Sequence, residues 1–323
     1  MATYKEIHGT NIEVVSSDPS NILEGQIWYN TSTNTLKGFG VTATSWATGG
    51  ALNTARNSLA GAGTQTAGLA MGGETPPYSA LTEAYNGTAW TEVNDLNTAR
   101  RGLSGAGTQT SALGFTGQGS PGVLALNETW NGSSWTEVGD LNTARGYAAG
   151  SGASNTAALC FGGDTPPITA NTEIWNGSNW TEVNNLTTAR QKLAGIGTNT
   201  AALAFGGLDP QISDKTELWN GTNWTEVNNL NSKRRALGGA GITTAGVAFG
   251  GYVPSDSATT ATEEWNGTNW TTAANMGTAR YDVSGAGTKA AALAFGGRPP
   301  GQGSSATEEF TGSGTGAITF SGS

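Results

Sequence analysis

Apolar positions in this chain follow two patterns that recur together. Short segments such as residues 202–205 (Ala-Leu-Ala-Phe) are continuously apolar and end in a glycine pair, here Gly206-Gly207. They are followed by segments such as residues 216–219 and 224–227, in which Trp or Val alternates with Thr and Glu. None of these segments has the 3.6-residue period of an amphipathic helix. Short runs bounded by turn residues predict β-strands.

The whole pattern occurs six times along the chain. Each copy runs from Leu-Asn-Thr-Ala-Arg through a Gly/Ala stretch, an apolar strand and a Pro-rich loop to Thr-Glu-x-Trp-Asn-Gly-x-x-Trp-Thr-Glu. Self-similarity at such a period predicts a stack or ring of identical supersecondary units. We place the starts of the repeats near residues 52, 96, 141, 186, 230 and 276. The arginines, 44–46 residues apart, are Arg56, Arg100, Arg145, Arg190, Arg234 and Arg280.

Each unit divides into four predicted strands, for example residues 191–197, 201–205, 216–219 and 224–227. Asn-Gly between the third and fourth strands indicates a tight hairpin, because this pair accepts positive φ readily. A four-stranded unit of about 45 residues fits a β-propeller blade. Small residues then lie on the crowded inner strands and Trp on the outer ones. A solenoid is the competing architecture, but it requires polar capping repeats, and the last unit keeps Ala-Leu-Ala-Phe-Gly-Gly.

The units resemble kelch repeats. The kelch marks are an early Arg, a Gly-Gly doublet closing the second strand, and an aromatic residue followed by a Trp. In the fourth unit they are Arg190, Gly206-Gly207, Trp219 and Trp224. The resemblance covers about residues 34–310. It implies an all-β fold, a six-bladed kelch-like β-propeller.

The amino-acid sequence of the repeat is similar to that of kelch-like virion proteins of marine tailed bacteriophages. The similarity lies in the motifs Trp-Asn-Gly-Thr-x-Trp-Thr-Glu and Leu-Asn-Thr-Ala-Arg. Residues 24–38 (EGQIWYNTSTNTLKG) are similar to short hairpins of phage tail and fibre proteins. The resemblance implies a virion structural protein on the tail, fibre or capsid surface. It would be present in many copies and would contact other virion proteins.

The two ends of the repeat region predict how the ring closes. Trp46 lies ten residues before Arg56, as Trp270 lies before Arg280, so Trp46 is a fourth-strand Trp without its own unit. The sixth unit provides three strands, with Phe310 in the place of the first Trp. The missing strand is either the one around Trp46 or residues 316–320, and the sequence leaves both open. We therefore assign the propeller to residues 34–323.

Residues 1–33 precede the repeat and are predicted to form an N-terminal β-hairpin attachment arm. Residues 12–15 and 26–29 have strand character, and the second run contains Trp28 and Tyr29. Strands without a sheet of their own usually pair with another partner. We interpret the arm as the attachment to a partner subunit. The alternative is that it packs along the propeller itself.

Each unit also carries one glutamate at a fixed place, two residues before the first aromatic. These are Glu83, Glu128, Glu173, Glu217, Glu263 and Glu308. One interpretation is a ring of charge that binds an anion or substrate. We favour a structural Arg–Glu pair in each unit, because structural ion-pair networks imitate functional sites.

Composition narrows the functional classes. A net charge of −9 argues against nucleic-acid binding, which needs clustered Lys and Arg. No apolar run approaches the length of a membrane span. Cys160 is the single cysteine and His8 the single histidine, which argues against a disulfide, a histidine metal site and a histidine-dependent triad. We expect no cofactor, no metal and no enzymatic activity, although hydrolysis by a pair of carboxylates remains open.

The loops after the second strand are the predicted binding face. They hold nine of the ten prolines and vary most between units. Rigid, variable loops on a fixed scaffold often carry recognition. We expect exposed contacts to a host-surface glycan or protein from Tyr78, Ile168, Ile212 and Tyr252. The alternative is that the loops are tolerant surface turns.

Two other functions stay open. A lectin or carbohydrate-active enzyme could use the same loop face, although the Ser-x-Asp-x-Gly-x-x-Trp boxes of sialidase-type propellers are absent from the sequence. An intracellular adaptor is the third possibility.

Overall fold

The computed structural model describes residues 12–20, 25–255 and 257–320. Every regular element in these residues is a β-strand. The chain divides into a larger unit, residues 45–312, and a smaller unit formed by residues 1–44 and 313–323. Within the described ranges, no helix is long and apolar enough to span a bilayer.

The larger unit contains, in its described residues, six four-stranded antiparallel sheets, which we number 1 to 6 in chain order. A short hairpin, Tyr252–Val253 with Ser257–Ala258, lies outside them. From first to fourth strand, sheets 1 to 3 are Ala60–Gly63, Gly68–Met71, Thr82–Tyr85 and Trp90–Val93; Ser104–Thr108, Ser111–Phe115, Asn127–Trp130 and Trp135–Val138; Ala149–Ser154, Ala157–Phe161, Thr172–Trp175 and Trp180–Val183. Sheets 4 to 6 are Ala194–Gly197, Ala202–Phe205, Thr216–Trp219 and Trp224–Val227; Gly238–Ile242, Ala245–Phe249, Thr262–Trp265 and Trp270–Ala273; Ser284–Gly287, Ala291–Phe295, Thr307–Thr311 and Ser45–Thr48.

Most strands lie where the repeat predicts them. The third and fourth strands of sheet 4 have the predicted bounds. The first strands begin later than predicted, at Ala194 in sheet 4. The cause is a residue two positions after each repeat arginine, such as Lys192, which has a left-handed backbone with φ 53°. An extended strand cannot begin until the chain leaves that conformation.

The sixth sheet is completed by the strand that contains Trp46. Ser45–Thr48 pairs antiparallel with Thr307–Thr311, so that Trp46 lies opposite Phe310. Of the two alternatives left open by the sequence, the structure therefore uses the N-terminal strand. The other candidate, Gly314–Phe320, pairs with Thr35–Thr42 in the smaller unit.

The smaller unit is one four-stranded sheet in the described residues, with the order Glu13–Val15, Ile27–Asn30, Thr35–Thr42, Gly314–Phe320. The first pair is parallel and the other two are antiparallel. This division differs from the predicted boundary between residues 33 and 34. The reason is that Thr35–Thr42 pairs with a strand of the predicted arm on one side and with the C-terminal strand on the other.

Neighbouring sheets of the larger unit are joined through the second Trp of each unit. In five of the six sheets its indole Nε1 donates to a threonine Oγ1 on the third strand of the preceding sheet, at 2.9–3.1 Å. The donor–acceptor pairs are Trp90–Thr307, Trp135–Thr82, Trp224–Thr172, Trp270–Thr216 and Trp46–Thr262. Since sheet 1 contacts sheet 6 in this way, the sheets follow one another in a closed cycle.

The glycine doublets join the same neighbouring sheets through backbone hydrogen bonds. Gly207 donates its N–H to the carbonyl of Arg234 in the next unit at 2.8 Å. A Cβ on Gly206 would lie 2.6 Å from that carbonyl oxygen and 2.9 Å from Cδ2 of Leu237. Both glycines have positive φ. The doublet is therefore needed both for its backbone conformation and for the close approach of the next unit.

Sheet 2 shows a natural exception to this arrangement. Thr116 replaces the first glycine and keeps a positive φ of 60°. The next unit has Ala148 at the position equivalent to Leu237. The larger Thr116 in sheet 2 is thus accompanied by the smaller Ala148 in the next unit.

We therefore expect Gly206→Thr to destabilise the protein by about 2–4 kcal/mol, through overpacking and strain at positive φ. Adding Leu237→Ala should relieve part of this overpacking. The double variant should then be more stable than the sum of the single effects by about 1–2 kcal/mol. Urea unfolding of the four proteins measures this coupling. Strictly additive effects would contradict the size compensation.

Candidate functional site

Each repeat arginine is buried and forms an ion pair inside its own sheet. The six arginine side chains are 0% exposed. In sheet 4, Nη2 of Arg190 lies 2.8 Å from Oε1 of Glu217, and Nη1 donates to the carbonyls of Gly206 and Lys215, both at 2.8 Å. The remaining pairs are Arg56–Glu83, Arg100–Glu128, Arg145–Glu173, Arg234–Glu263 and Arg280–Glu308. These charges are enclosed in the sheets and are not presented to solvent.

The asparagine of Leu-Asn-Thr-Ala-Arg belongs to the same network, which the sequence analysis did not predict. The backbone N and the Nδ2 of Asn53 donate to Oε2 of Glu83 at 2.7 and 2.9 Å. Nδ2 also donates to the carbonyl of Trp90 at 3.0 Å. In sheet 4, where Thr187 replaces asparagine, the backbone N makes the contact to the carboxylate at 2.7 Å. The motif thus ties the loop before the first strand to the third and fourth strands.

A different set of residues meets at one end of the cycle. The two residues after each repeat arginine differ in every unit: Asn57-Ser58, Arg101-Gly102, Gly146-Tyr147, Gln191-Lys192, Arg235-Ala236 and Tyr281-Asp282. The second residue of each pair has a positive φ between 51° and 56°. Its N–H donates to the carbonyl of the equivalent residue in the preceding unit, at 2.7–3.0 Å. Six such bonds close a backbone ring.

This ring brings dissimilar side chains together. Ser58, Tyr147, Lys192 and Asp282 line a cavity of about 90 Å³. Nζ of Lys192 lies 4.5 Å from the centre of the Tyr147 ring. Burial raises the pKa of Asp282, while the positive charges of Lys192, Arg235 and Arg298 oppose this shift. Burial also raises the pKa of Tyr147 to about 12. The side chains around this backbone ring therefore include polar and aromatic groups, and they differ from one unit to the next.

The Pro-rich loops surround this ring. The first loop residue bridges to the residue after the arginine, as in Asn57 with Glu74 and Arg235 with Tyr252. Nη1 of Arg101 lies 2.8 Å from Oε1 of Glu74, which comes from the preceding unit. We call the six residue pairs after the arginines, together with the loops at 74–80, 118–125, 164–170, 208–215, 252–261 and 298–306, the variable face.

The four predicted contact residues lie on this face but are half-buried, so the prediction that they are exposed is wrong. Ile168 and Ile212 bridge back to the first residues of their own loops. Tyr78 lies under the guanidinium of Arg101 at 5.6 Å. Tyr252 packs against the guanidinium of Arg235 at 4.7 Å and the Tyr281 ring at 5.0 Å. Their own neighbours cover part of each side chain.

The sequence analysis missed the residue pairs that follow the arginines. A unit-by-unit comparison could have found them, because they change in charge and size between almost invariant neighbours. In the described part of the chain, no cluster of three His, Cys, Asp or Glu side chains could hold a metal ion. His8 lies outside the described residues.

The predicted attachment residues lie in the smaller unit. Trp28 is 0% exposed, so it cannot be a contact to a partner in this arrangement, and Tyr29 is half-buried. Nε1 of Trp28 donates to Oδ1 of Asp18 at 3.0 Å. Asn30 and Lys37 bind the same carboxylate, both at 2.8 Å. Hydrogen bonds from Lys37, Asn30 and Trp28 lower the pKa of Asp18 to about 2. Trp28 therefore contributes to the small sheet through this network.

Comparison with known proteins identifies the fold. Neither a family model nor a curated protein matches the chain. Among solved structures, the chain is similar to the one titled "Structure of YjhT", a bacterial protein, with a TM-score of 0.67 and 12% sequence identity. The match covers 83% of this chain and 99% of that one. At this identity the likeness concerns the fold alone, and the class it defines is the β-propeller.

We expect Arg190→Ala to lower the free energy of unfolding by about 3–5 kcal/mol, because it leaves the Glu217 carboxylate buried without its charge partner. Arg101→Ala, in the partly exposed pair with Glu74, should cost only about 0–1 kcal/mol. Urea unfolding measures both. Equal small effects would contradict a structural role of the buried pair.

We expect the Asp18 carboxylate to titrate near pH 2 instead of at its ordinary 3.8. Because the folded pKa is depressed, its contribution to the small sheet is complete above the ordinary pKa and is lost as the pH falls through the folded value. The indole N–H resonance of Trp28, followed by ¹H–¹⁵N NMR between about pH 5 and pH 1, reports this protonation. The Asp18→Asn variant is the control and should show no such shift. A midpoint near 3.8 would contradict the network.

Proposed function

We propose that this chain is a non-enzymatic binding protein of a tailed phage particle. Its larger unit is a six-bladed kelch-like propeller displayed in many copies on the tail, fibre or capsid surface. Binding to a host-surface protein or glycan takes place on the variable face. The virion assignment is supported by the resemblance of the repeat sequence to kelch-like virion proteins of tailed phages.

The observation that carries the proposal is the separation of invariant and variable residues. Residues that stabilise each sheet or join it to its neighbour, such as Arg190, Glu217 and Trp224, recur in nearly every unit and are buried. The differing residues meet at one end, around the closed backbone ring. A rigid scaffold with variable surface residues is the usual arrangement for recognition.

The buried pairs support binding in preference to catalysis. Six of the glutamates are held by arginine and backbone N–H groups inside the sheets, where no substrate reaches them. Glu74 on the variable face is held by Arg101. Paired carboxylates of this kind are poor candidates for general acid–base work, which needs a group that can exchange a proton with the substrate.

A carbohydrate-active enzyme or lectin using the same face is the second candidate. The observation that favours it is Asp282, whose raised pKa beside Tyr147 and Lys192 resembles that of a catalytic acid. The experiment below therefore measures turnover as well as binding.

The smaller unit is proposed as the attachment to other virion proteins. Ile12 and Val14 on its edge are 42% and 66% exposed, and Phe320 on the opposite edge strand is 44% exposed. Edge strands with exposed apolar side chains are suited to pairing with another chain. These residues replace Trp28 as the proposed contacts.

The test compares the intact protein with the triple variant Tyr147→Ala/Lys192→Ala/Asp282→Ala. Binding to bacterial cells, and to glycan and protein arrays, should fall at least about tenfold, as expected when central contact residues are truncated. The control is Thr110→Ala, in a turn between the first and second strands, which should bind as the intact protein does. Melting temperatures check that both variants are folded.

Two results would contradict the proposal. One is unchanged binding by the triple variant. The other is release of reducing sugar that is abolished by Asp282→Asn, which would favour the enzyme. Electron microscopy of particles labelled with an antibody against this chain tests the virion location separately.

A further inference from the structure

The variable face contains a groove between the loops of sheets 4 and 5. Its volume is about 520 Å³, compared with about 90–120 Å³ for the cavities along the axis of the cycle. Ligand pockets commonly have volumes of about 300–1,000 Å³. The groove is lined by aliphatic, polar and basic side chains. The aliphatic residues are Leu208, Pro210, Ile212 and Pro254, the polar residue is Gln211, and the basic residues are Lys233 and Arg235.

These two cations are unusual for this chain. The protein has a net charge of −9, and six of its 15 basic residues are consumed by the buried pairs. Among the described residues, no carboxylate lies within ion-pair distance of Lys233 or Arg235. Lys233 is exposed, and the Arg235 guanidinium is held over the Tyr252 ring at 4.7 Å. Among the described residues, the lining of the groove therefore contains two cations and no carboxylate.

The equivalent place between sheets 1 and 2 shows what such a cation binds. There Arg101, in the position of Arg235, contacts the carboxylate of Glu74 from the preceding loop at 2.8 Å. The residue equivalent to Glu74 beside Arg235 is Leu208. The position that carries this carboxylate in the first loop is therefore occupied by an aliphatic side chain at this junction. Lys233 adds a second charge where the other five units have alanine.

We propose that this groove binds an acidic peptide segment of a partner protein, in which a Glu or Asp lies next to an aliphatic residue. The ligand carboxylate contacts Arg235, as the Glu74 carboxylate contacts Arg101, and also contacts Lys233. The aliphatic side chain packs on Leu208, Ile212 and the two prolines. The Tyr252 ring is covered by Arg235 and by the edge of Tyr281, so the groove does not offer the open aromatic surface on which a sugar ring stacks. This inference deepens the proposed function and rests on it only for the use of this face.

The direct test is fluorescence anisotropy with the full chain and a dye-labelled, end-capped peptide Gly-Glu-Leu-Glu-Gly. The comparison peptides are Gly-Gln-Leu-Gln-Gly, without the charges, and Gly-Glu-Ser-Glu-Gly, without the aliphatic anchor. We expect each comparison peptide to bind at least about fivefold more weakly, since each lacks one of the two contacts. Raising the salt concentration should weaken binding of the acidic peptides only.

Variants of the groove make the assignment specific. Lys233→Gln and Arg235→Gln should each weaken binding of Gly-Glu-Leu-Glu-Gly about fivefold, whereas Lys289→Gln, the same change outside the groove, should not. Leu208→Glu should abolish binding without loss of melting temperature, because its carboxylate recreates the pair seen between Glu74 and Arg101. A melting scan shows that each variant is folded.

Three outcomes overturn the proposal. They are equal binding of the Glu and Gln peptides, full binding by Leu208→Glu, and binding of an oligogalacturonate with no binding of any peptide, which would assign the groove to an acidic saccharide. The groove can bind its peptide even if the chain is absent from phage particles. It can also fail while the triple variant still abolishes cell binding. The two proposals are therefore tested independently.

Discussion

The buried Arg–Glu–Asn network is the constraint on which the larger unit depends. A guanidinium without access to water must be neutralised and hydrogen-bonded in place, because an unpaired buried charge is very costly. The Glu217 carboxylate neutralises Arg190, and two backbone carbonyls accept hydrogen bonds from its Nη1, although Nε has no partner. These partners lie on or beside the second and third strands, so the pair fixes the sheet internally. The carbonyl of the same residue type in the next unit accepts the N–H of a glycine doublet, which joins one sheet to another.

Because every sheet contains the buried Arg–Glu pair, the scaffold does not depend on residues near the axis at the variable end. The backbone ring there is made by N–H and C=O groups, which every residue except proline provides. Its side chains are free to differ, although the left-handed backbone disfavours most of them, as at Tyr147 and Lys192. A single residue can also change the surroundings of the variable face. Leu208 is an example, because it occupies the position that Glu74 has in the first unit. The recognition that we propose for this face uses such departures from the repeat.

Repeat comparison predicted the fold well because the same physical requirement recurs in each unit. The strand pattern, the Asn-Gly turns and the Gly-Gly doublets are local or nearest-neighbour features, and the third and fourth strands lie at the predicted residues. The candidate site was predicted less well. Tyr78 and Tyr252 were expected to be exposed, but cation–π contacts with arginines from another part of the face cover them. Trp28 was expected to bind a partner, but Asp18 binds its indole within the small sheet.

The sequence by itself determined the unit and its four strands, since these follow from spacing within one repeat, and it favoured the pairing of each repeat arginine with a glutamate. Only the tertiary structure decided which terminal strand completes the sixth sheet, because two segments have suitable strand character and long-range pairing chooses between them. It also decided which residues share the variable face. Residues such as Glu74 and Arg101, or Leu208 and Arg235, come from successive units. Their meeting depends on how one sheet packs against the next, which spacing within a single repeat does not specify.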